Sequence, residues 1–273
     1  MSIKKGENSM PSNETLYTNK VFMAGALPLL KTIATDVESL HKQFKGVDAI
    51  YQVSAKTDDG IEAVHFHVEN GEWTKVRLEP YSGDGKIDAE LAFSSMEKMN
   101  AFMKGDMMKL PAFKIGNLKK FVLFMQVLLK MSSLLNMEEP PADEKTQVLL
   151  CKLYFYLLSS GISALNKMGE PKISEWVKAS PDRCYQWSVE GYPETTAYLR
   201  IKEGKSKAGR GAYPRAKPFF TMKFDTPKSA LLILLDIGDM FDMTANSQLM
   251  MEGGPEFGVQ IGDMMMHVGG YAK

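Results

Sequence analysis

Two histidines on one predicted strand are the first residues whose type and spacing suggest chemistry. His65 and His67 are two positions apart, so both side chains would point to one face and could hold a metal ion. No third ligand follows at a useful spacing, because His41 and His267 are far away along the chain. We therefore expect a solvated strand face here, with no metal and no other cofactor.

Motifs for nucleophilic or phosphate chemistry are incomplete. Gly204-Lys205-Ser206 is similar to the end of a P-loop, but Leu199 stands where that motif requires a glycine. Cys151 lies in an apolar stretch, where a thiol is more often a small core residue than a nucleophile. The chain has only 2 cysteines, which excludes a disulfide framework. We assign no catalytic residue from the sequence.

A basic stretch, Arg200–Lys217, carries seven Lys or Arg residues and one acidic residue. Such a stretch could make transient contact with an anionic membrane surface or with the phosphates of acyl-CoA. A solvated strand face is the alternative. The whole chain has 33 basic and 33 acidic residues, and this neutrality argues against nucleic acid as a partner.

The composition is that of a globular protein with a substantial core. The chain has 273 residues, enough for one large domain or two small ones, and 44% of them are hydrophobic. Its 20 methionines are flexible side chains suited to walls that accept several shapes. The polar segment Met1–Glu14 lacks a secretory signal, and the stretches Phe121–Met137 and Val148–Leu158 are too short or too interrupted to span a membrane. We expect a cytoplasmic protein.

The chain contains an internal repeat. Tyr51-Gln52-Val53-Ser54 recurs as Tyr185-Gln186-Trp187-Ser188 with an offset of 134, and Gly105-Asp106-Met107 recurs as Gly238-Asp239-Met240 with an offset of 133. A nearly constant offset through a whole unit predicts a duplication. The polar segment Met137–Lys145 contains two prolines and predicts a linker, with Asp143 as the N-cap of the next helix. The predicted domains are residues 15–137 and 143–273.

Both halves are predicted to have the same order of elements. An apolar helix comes first, followed by a short amphipathic helix, four strands joined by hairpins, a helix, and a last segment that leads into a closing helix. The predicted bounds in the first half are Val21–Ile33 with a kink at Pro28, Val37–Phe44, Ala49–Ala55, Glu62–Glu69, Thr74–Leu78, Ile87–Phe93, Ser95–Met103 and Leu118–Leu135. Those in the second are Val148–Leu165, Ile173–Lys178, Cys184–Val189, Thr195–Lys202, Ser206–Arg210, Phe219–Phe224, Thr226–Ile237 and Val259–Val268.

This order and several short motifs resemble the sterol carrier protein 2 (SCP-2) domain in two tandem copies. The motifs are Phe93-Ser94-Ser95, Gly105-Asp106 and Phe113-Lys114-Ile115-Gly116-Asn117, then Phe224-Asp225-Thr226, Gly238-Asp239 and Met251-Glu252-Gly253-Gly254-Pro255. The resemblance covers about residues 37–135 and 171–273. The first copy is the more divergent, since Gly105 and Gly116 are 11 positions apart, whereas Gly238 and Gly254 are 16 apart.

The resemblance implies an α/β (α+β) fold, in which helices cover a mixed or antiparallel sheet and the unit is duplicated as a pseudo-dimer. It also implies an apolar tunnel between sheet and helices that binds and carries a sterol, a fatty acyl chain or another lipid, without enzymatic chemistry. The family's layout places sixteen residues in the tunnel walls: Phe102, Met103, Met107, Phe113, Phe121, Phe124, Met125, Leu128, Leu232, Leu235, Met240, Phe241, Met243, Phe257, Met264 and Met265.

Two other functions stay open at this stage. An accessory or catalytic component that holds a hydrophobic substrate would place a buried His, Asp or Glu inside the tunnel. An interaction module would have its pocket filled by Met and Phe side chains.

Overall fold

The computed structural model describes residues 11–273 as two sheets with their helices. Residues 1–10 of the polar N-terminal segment, for which no secretory signal was predicted, lie outside the described residues. The first half comprises α1 (Asn13–Val21), a π-helical turn (Phe22–Ala26), α2 (Leu29–Asp36), α3 (Glu38–Phe44), β1 (Ala49–Thr57), β2 (Gly60–Glu69), β3 (Glu72–Arg77), β4 (Ala89–Phe93), α4 (Met96–Met103), β5 (Ala112–Ile115) and α5 (Leu118–Leu135). The second comprises α6 (Glu144–Met168), α7 (Pro171–Ala179), β6 (Arg183–Val189), β7 (Tyr192–Lys202), β8 (Lys205–Arg210), β9 (Phe220–Phe224), α8 (Pro227–Leu234), α9 (Met240–Ala245), β10 (Leu249–Glu252) and α10 (Pro255–Ala272).

The two sheets have the same topology. Their strand orders are β3-β2-β1-β4-β5 and β8-β7-β6-β9-β10. In both, the central pair is parallel and every other neighbouring pair is antiparallel, so β1 runs parallel to β4 and β6 runs parallel to β9. The predicted α/β (α+β) fold with mixed sheets is therefore confirmed, and β5 and β10 are edge strands.

The same two-residue turn closes the second hairpin of each sheet. Asn70 and Gly71 have φ values of 50° and 88°, and Glu203 and Gly204 have φ values of 52° and 72°. Positive φ at both central residues matches the right-handed twist of the flanking strands. A Cβ on Gly71 would lie 2.5 Å from the carbonyl oxygen of Phe44, so this turn also requires a close backbone approach.

Several predicted boundaries are wrong. The first apolar helix begins at Asn13 rather than Val21, because Ser12 caps it by accepting a hydrogen bond from the Thr15 backbone amide at 3.1 Å. The helix predicted to end at Ile237, just before Gly238, ends at Leu234, and Asp236 takes the left-handed conformation, with φ of 63°. Helix α9 was not predicted. The N-cap role of Asp143 is confirmed, because its carboxylate accepts from the Thr146 amide at 2.9 Å.

Helix α6 forms the centre of the molecule. It packs on β7, β8, α7, α8 and α10 of its own half and on α1, the π-helical turn and α2 of the first half. Of the described helices it is the one long and apolar enough to cross a membrane, but 72% of its most apolar window is buried inside the fold. Polar contacts reinforce the junction: Lys152 of α6 pairs with Asp36 of α2, and Arg210 of β8 donates to Thr32 Oγ1 at 3.1 Å.

Glycines allow three helical segments to approach each other at this junction. A Cβ on Gly25 of the π-helical turn would lie 3.4 Å from the Leu157 carbonyl oxygen of α6. A Cβ on Gly161 of α6 would lie 2.6 Å from Cγ1 of Val268 in α10, which is closer than carbon atoms can pack. Because valine is branched at Cβ, it has little freedom to move away.

We expect Gly161→Ala to lower the free energy of unfolding by about 1–3 kcal/mol, since an overpacked core must shift. This is the net loss that remains after alanine's advantage of ~1 kcal/mol over glycine in helix propensity. Gly269→Ala in α10 is the matched control, because its Cβ would meet no atom within 4 Å. Urea unfolding of both variants measures the difference, and equal stabilities would contradict the close packing at Gly161.

Candidate functional site

The predicted wall residues of the two halves lie in largely corresponding parts of the fold. Those of the first half come from α4, the turn after it, β5 and α5, and those of the second from the end of α8 with its C-cap Leu235, α9 and α10. Helices α4 and α5 contact β4 of the first sheet, and α8, α9 and α10 contact β9 or β10 of the second. The sheet faces they cover include the alternate buried residues Tyr51 and Val53 of β1 and Tyr185 and Trp187 of β6. We call this face of each sheet the inner face.

Aromatic contacts connect the walls of the first half to the inner face. Phe124 of α5 is fully buried and stacks on Tyr51 with ring centroids 4.5 Å apart. Phe113 of the edge strand β5 meets Phe121 of α5 edge to face at 5.7 Å. Met107 and Phe113 are exposed, and the other predicted walls are half-buried: Phe102, Met103, Phe121, Met125 and Leu128.

The second half packs its predicted walls more tightly. Met243, Met264 and Met265 are buried, and the Met265 sulfur accepts a hydrogen bond from Trp187 Nε1 at 3.1 Å. Phe241 is exposed. The remaining walls are half-buried: Leu232, Leu235, Met240 and Phe257.

An arginine lies between two aromatic rings in the second half. The Arg183 guanidinium carbon is 4.4 Å from the ring centroids of both Phe219 and Phe257, a cation–π arrangement. In the first half, Asp88 occupies the position that Phe219 has in the second. The Asp88 amide donates to the Ile50 carbonyl oxygen, as the Phe219 amide donates to that of Cys184. Asp88 instead pairs with Lys120 of α5 at 2.8 Å. The two halves thus use different side chains at the same point of the sheet.

Two cavities on the surface of the described residues are lined by residues other than the predicted walls. A cavity of about 420 Å³ lies between α3 and the β2–β3 turn, and its lining is His41, Lys42, Lys45, Asn70, Gly71 and Glu72. A cavity of about 320 Å³ lies beside the start of α6, and its lining is Asp36, Glu144, Lys145, Val148, Leu149, Lys152, Tyr192 and Glu194. The assignment of the sixteen wall residues to a ligand site stays a prediction.

Sequence reasoning missed two tyrosines as site residues. Tyr51 and Tyr185 are fully buried at equivalent register positions, facing Ala89 of β4 and Phe220 of β9, and neither hydroxyl has a hydrogen-bond partner among the described residues. Burial raises the pKa of Tyr185; burial and then the negative charge of Asp88 raise that of Tyr51. The repeated Tyr-Gln pair was the sequence signal for these tyrosines. Successive side chains of a strand point to opposite faces of the sheet, so one residue of each pair had to face the covering helices.

The glutamine of each Tyr-Gln pair anchors a loop on the opposite, outer face. Gln52 Oε1 accepts from the Tyr81 amide at 2.7 Å, and Gln186 Oε1 accepts from the Tyr213 amide at 3.1 Å. The expectation of a solvated histidine face is wrong for His65, which is 5% exposed and has its Nδ1 2.7 Å from the Glu79 carbonyl oxygen. The described residues include no group of three potential metal ligands.

A buried carboxylate also lies on the outer face. Glu90 accepts hydrogen bonds from Ser54 at 2.6 Å and Gln52 at 2.9 Å and pairs with Lys114 at 3.0 Å. Burial alone would raise the pKa of Glu90, but these hydrogen bonds outweigh it and hold the pKa below its usual value.

The two cysteines are core residues. Cys151 is buried in α6, as predicted, and its thiol donates to the Pro227 carbonyl oxygen at 3.2 Å. Burial raises the pKa of both Cys151 and Cys184 to about 12, so neither is a thiolate at neutral pH.

Part of the basic stretch Arg200–Lys217 is committed to internal contacts. Arg200 pairs with Asp182 and donates to Tyr213 Oη at 3.0 Å, and the Arg210 guanidinium carbon lies 4.6 Å from the Tyr156 ring centroid. The contact of this stretch with a membrane stays a prediction.

Glu90 generates a pH-dependent prediction. A folded-state pKa below the unfolded value gives stability that is present above the unfolded pKa and is lost as the pH falls through the folded pKa. We expect Glu90→Gln to lower the free energy of unfolding at pH 7 by about 1–3 kcal/mol. The difference from wild type should shrink below a pH of about 4. Glu252→Gln, an exposed site on β10, is the control, and a pH-independent Glu90→Gln deficit would contradict the assignment.

Comparison with known proteins identifies structural similarity at low sequence identity. No protein-family model matches the chain, and no curated protein matches it. Among solved structures the chain is similar to UbiJ-SCP2, a ubiquinone synthesis protein, with 15% identity and a TM-score of 0.29 over 43% of this chain and 96% of that chain. It is also similar to the inverting sec-alkylsulfatase Pisa1 from Pseudomonas sp., with 12% identity and a TM-score of 0.27. A double mutant of that sulfatase gives 13% and 0.28, and each sulfatase match covers 62% of this chain and 29% of that chain.

Proposed function

We propose that this protein binds and carries a hydrophobic molecule, such as a sterol, a fatty acyl chain or another lipid, and performs no covalent chemistry on it. The proposal includes two tandem SCP-2-like units, residues 15–137 and 143–273, in the cytoplasm. The ligand would occupy the layer between the inner face of a sheet and its covering helices.

The observation that carries the proposal is the pair of buried tyrosine hydroxyls without partners. Tyr51 and Tyr185 occupy the same register position, and both rings pack against aromatic side chains. Charged groups lie nearby as well, namely Asp88 for Tyr51 and Arg183 for Tyr185. A buried hydroxyl without a hydrogen bond costs about 1–3 kcal/mol. A ligand with an apolar body and one polar group would remove that cost by bonding to the hydroxyl. Sterols and fatty acids have this composition.

The half-buried walls supply a route for the ligand. Met103, Phe121 and Met125 of the first half are half-buried and pack against the core, and Phe121 also meets the exposed Phe113 of β5. Methionine changes rotamer at low cost, so these side chains can separate around an apolar chain. Burial of the ligand contributes roughly 25 cal/mol per Å² before entropy costs.

The distribution of buried acids and bases argues against an enzyme. Among the described His, Asp and Glu residues, the buried ones are His65, Glu90 and Glu170. His65 and Glu90 lie on the outer face in the same row as Gln52. Glu170 caps α7 through the Ile173 amide at 2.9 Å. His65 and Glu90 therefore lie on the opposite side of the sheet from the proposed ligand layer, and Glu170 is committed to this cap and to His267 of α10 at 2.9 Å.

An interaction module is the second candidate function. It is favoured by the close packing of the inner layer in the second half, where Met243, Met264 and Met265 are buried. In this function Met and Phe side chains would fill the layer permanently, and the outer surfaces would recognise a partner protein. Ligand binding separates the two functions.

We expect Tyr51→Phe and Tyr185→Phe to raise the unfolding temperature of the ligand-free protein, because each removes a buried hydroxyl without a partner. The same variants should weaken the binding of a fluorescent fatty acid by about tenfold, the effect of losing one hydrogen bond of about 1.4 kcal/mol. Thermal unfolding and fluorescence titration measure the two effects.

The control is Tyr154→Phe, whose hydroxyl donates to the Leu135 carbonyl oxygen at 3.3 Å. It should lower the unfolding temperature and leave binding unchanged. If the wild-type protein binds neither fatty acid, sterol nor acyl-CoA, ligand carriage is rejected and the interaction module is supported.

A further inference from the structure

The two halves have an equivalent exposed turn just after the helix that follows the fourth strand. In the first half the Asp106 side chain accepts a hydrogen bond from the Met108 amide at 3.0 Å. In the second half the Asp239 side chain accepts from the Phe241 amide at 2.9 Å. Met108 and Phe241 therefore occupy the same position, and they are 88% and 76% exposed.

Exposed apolar side chains surround the turn of the first half. Met107 precedes Met108 and is 61% exposed. The edge strand β5 and the start of α5 add further exposed apolar residues, namely Leu110, Phe113, Ile115, Leu118 and Val122. We call this set, together with Met107 and Met108, the β5 surface. Seven exposed apolar side chains within residues 107–122 are typical of an interaction site.

The charge around the two turns is opposite in sign. Residues 104–120 contain five lysines and one acidic residue, whereas the equivalent residues 237–258 contain four acidic residues and no basic one. Lys114 and Lys120 pair with Glu90 and Asp88. The other three lysines, Lys104, Lys109 and Lys119, are exposed and form no ion pair with a described residue.

We propose that the β5 surface docks on an anionic lipid bilayer, with Met107 and Met108 inserted among the headgroups and Lys104, Lys109 and Lys119 paired with lipid phosphates. Apolar side chains ringed by lysines are the combination that holds proteins at such a surface, because insertion and electrostatic attraction add. The equivalent turn around Phe241 has the apolar tip but the wrong charge, and it does not dock.

This inference is independent of the proposed function. If the protein docks on vesicles but carries no lipid, the docking inference still holds. If it carries lipid but does not bind vesicles, the docking inference is wrong. Docking would also hold the half-buried Phe121 close to the membrane, since its ring lies 5.7 Å from that of Phe113.

The experiment is co-sedimentation of the full chain with phosphatidylcholine vesicles, with and without phosphatidylglycerol. Binding should require phosphatidylglycerol and should fall as salt rises from about 0.1 M to about 1 M, where the screening length drops from roughly 10 Å to roughly 3 Å. Replacing Lys104, Lys109 and Lys119 with serine should weaken binding by about fivefold per lysine. The double variant Met107→Asp, Met108→Asp should abolish it.

Two matched controls separate this surface from others. Phe241→Asp changes the equivalent exposed tip, and serine at Lys202, Lys205 and Lys207 removes three exposed charges from the basic stretch. Phe241→Asp should bind vesicles as the wild type does. The triple serine variant of the basic stretch, whose own membrane contact was predicted from the sequence, should lose less binding than the serine variant of Lys104, Lys109 and Lys119. Binding without phosphatidylglycerol, no binding at all, or equal losses in the controls would overturn the proposal. Sedimentation velocity tests whether the partner is instead a second copy of this chain. Oligomers that dissociate in both Met108→Asp and Phe241→Asp would indicate head-to-tail self-association and would overturn the membrane proposal.

Discussion

The burial of helix α6 is the constraint on which the rest of the structure depends. A helix that is apolar on most sides cannot remain in water, and one sheet covers only one of its sides. The second sheet and its helices cover part of α6, and α1, the π-helical turn and α2 of the first half cover much of the remainder. The two halves therefore meet on a shared core helix. Gly25 allows the first half to approach α6 closely, and Gly161 allows α10 of the second half to do the same.

With the halves fixed in this way, the alternation of side chains along each central strand separates two environments. The inner face holds aromatic residues and the two tyrosine hydroxyls, and the outer face of the first sheet holds Glu90, Gln52 and His65 with their hydrogen-bond partners. The polar groups with completed hydrogen bonds maintain the sheet and its loop. The two hydroxyls without partners among the described residues lie on the inner face, and the proposed function is built on this division.

Features encoded by local chemistry could be predicted from the sequence. The hairpin at Asn70-Gly71 needs positive φ at both positions, and asparagine and glycine accept it. The cap at Asp143 requires only a side chain that reaches an amide three residues away. The mixed sheets and their covering helices also agree with the fold that the SCP-2 resemblance implied.

Features that depend on tertiary contacts could not be predicted. His65 alternates with apolar residues as a half-exposed strand would, and only the loop carrying Tyr81 buries it. Helix α8 ends before Gly238 because Asp236, not the glycine, takes the left-handed conformation. The resemblance placed Met107 and Phe241 in tunnel walls, but both are exposed. Their exposure depends on the direction of the turns that carry them, which the hydrophobic periodicity of the sequence does not determine.

Ligand carriage is tested most directly by native mass spectrometry of the protein as purified from cells, followed by organic extraction of the molecules that accompany it. The account predicts one or two hydrophobic molecules per chain, released intact and without chemical change. A mass equal to that of the bare chain, unaltered after incubation with sterols, fatty acids and acyl-CoA, would contradict it.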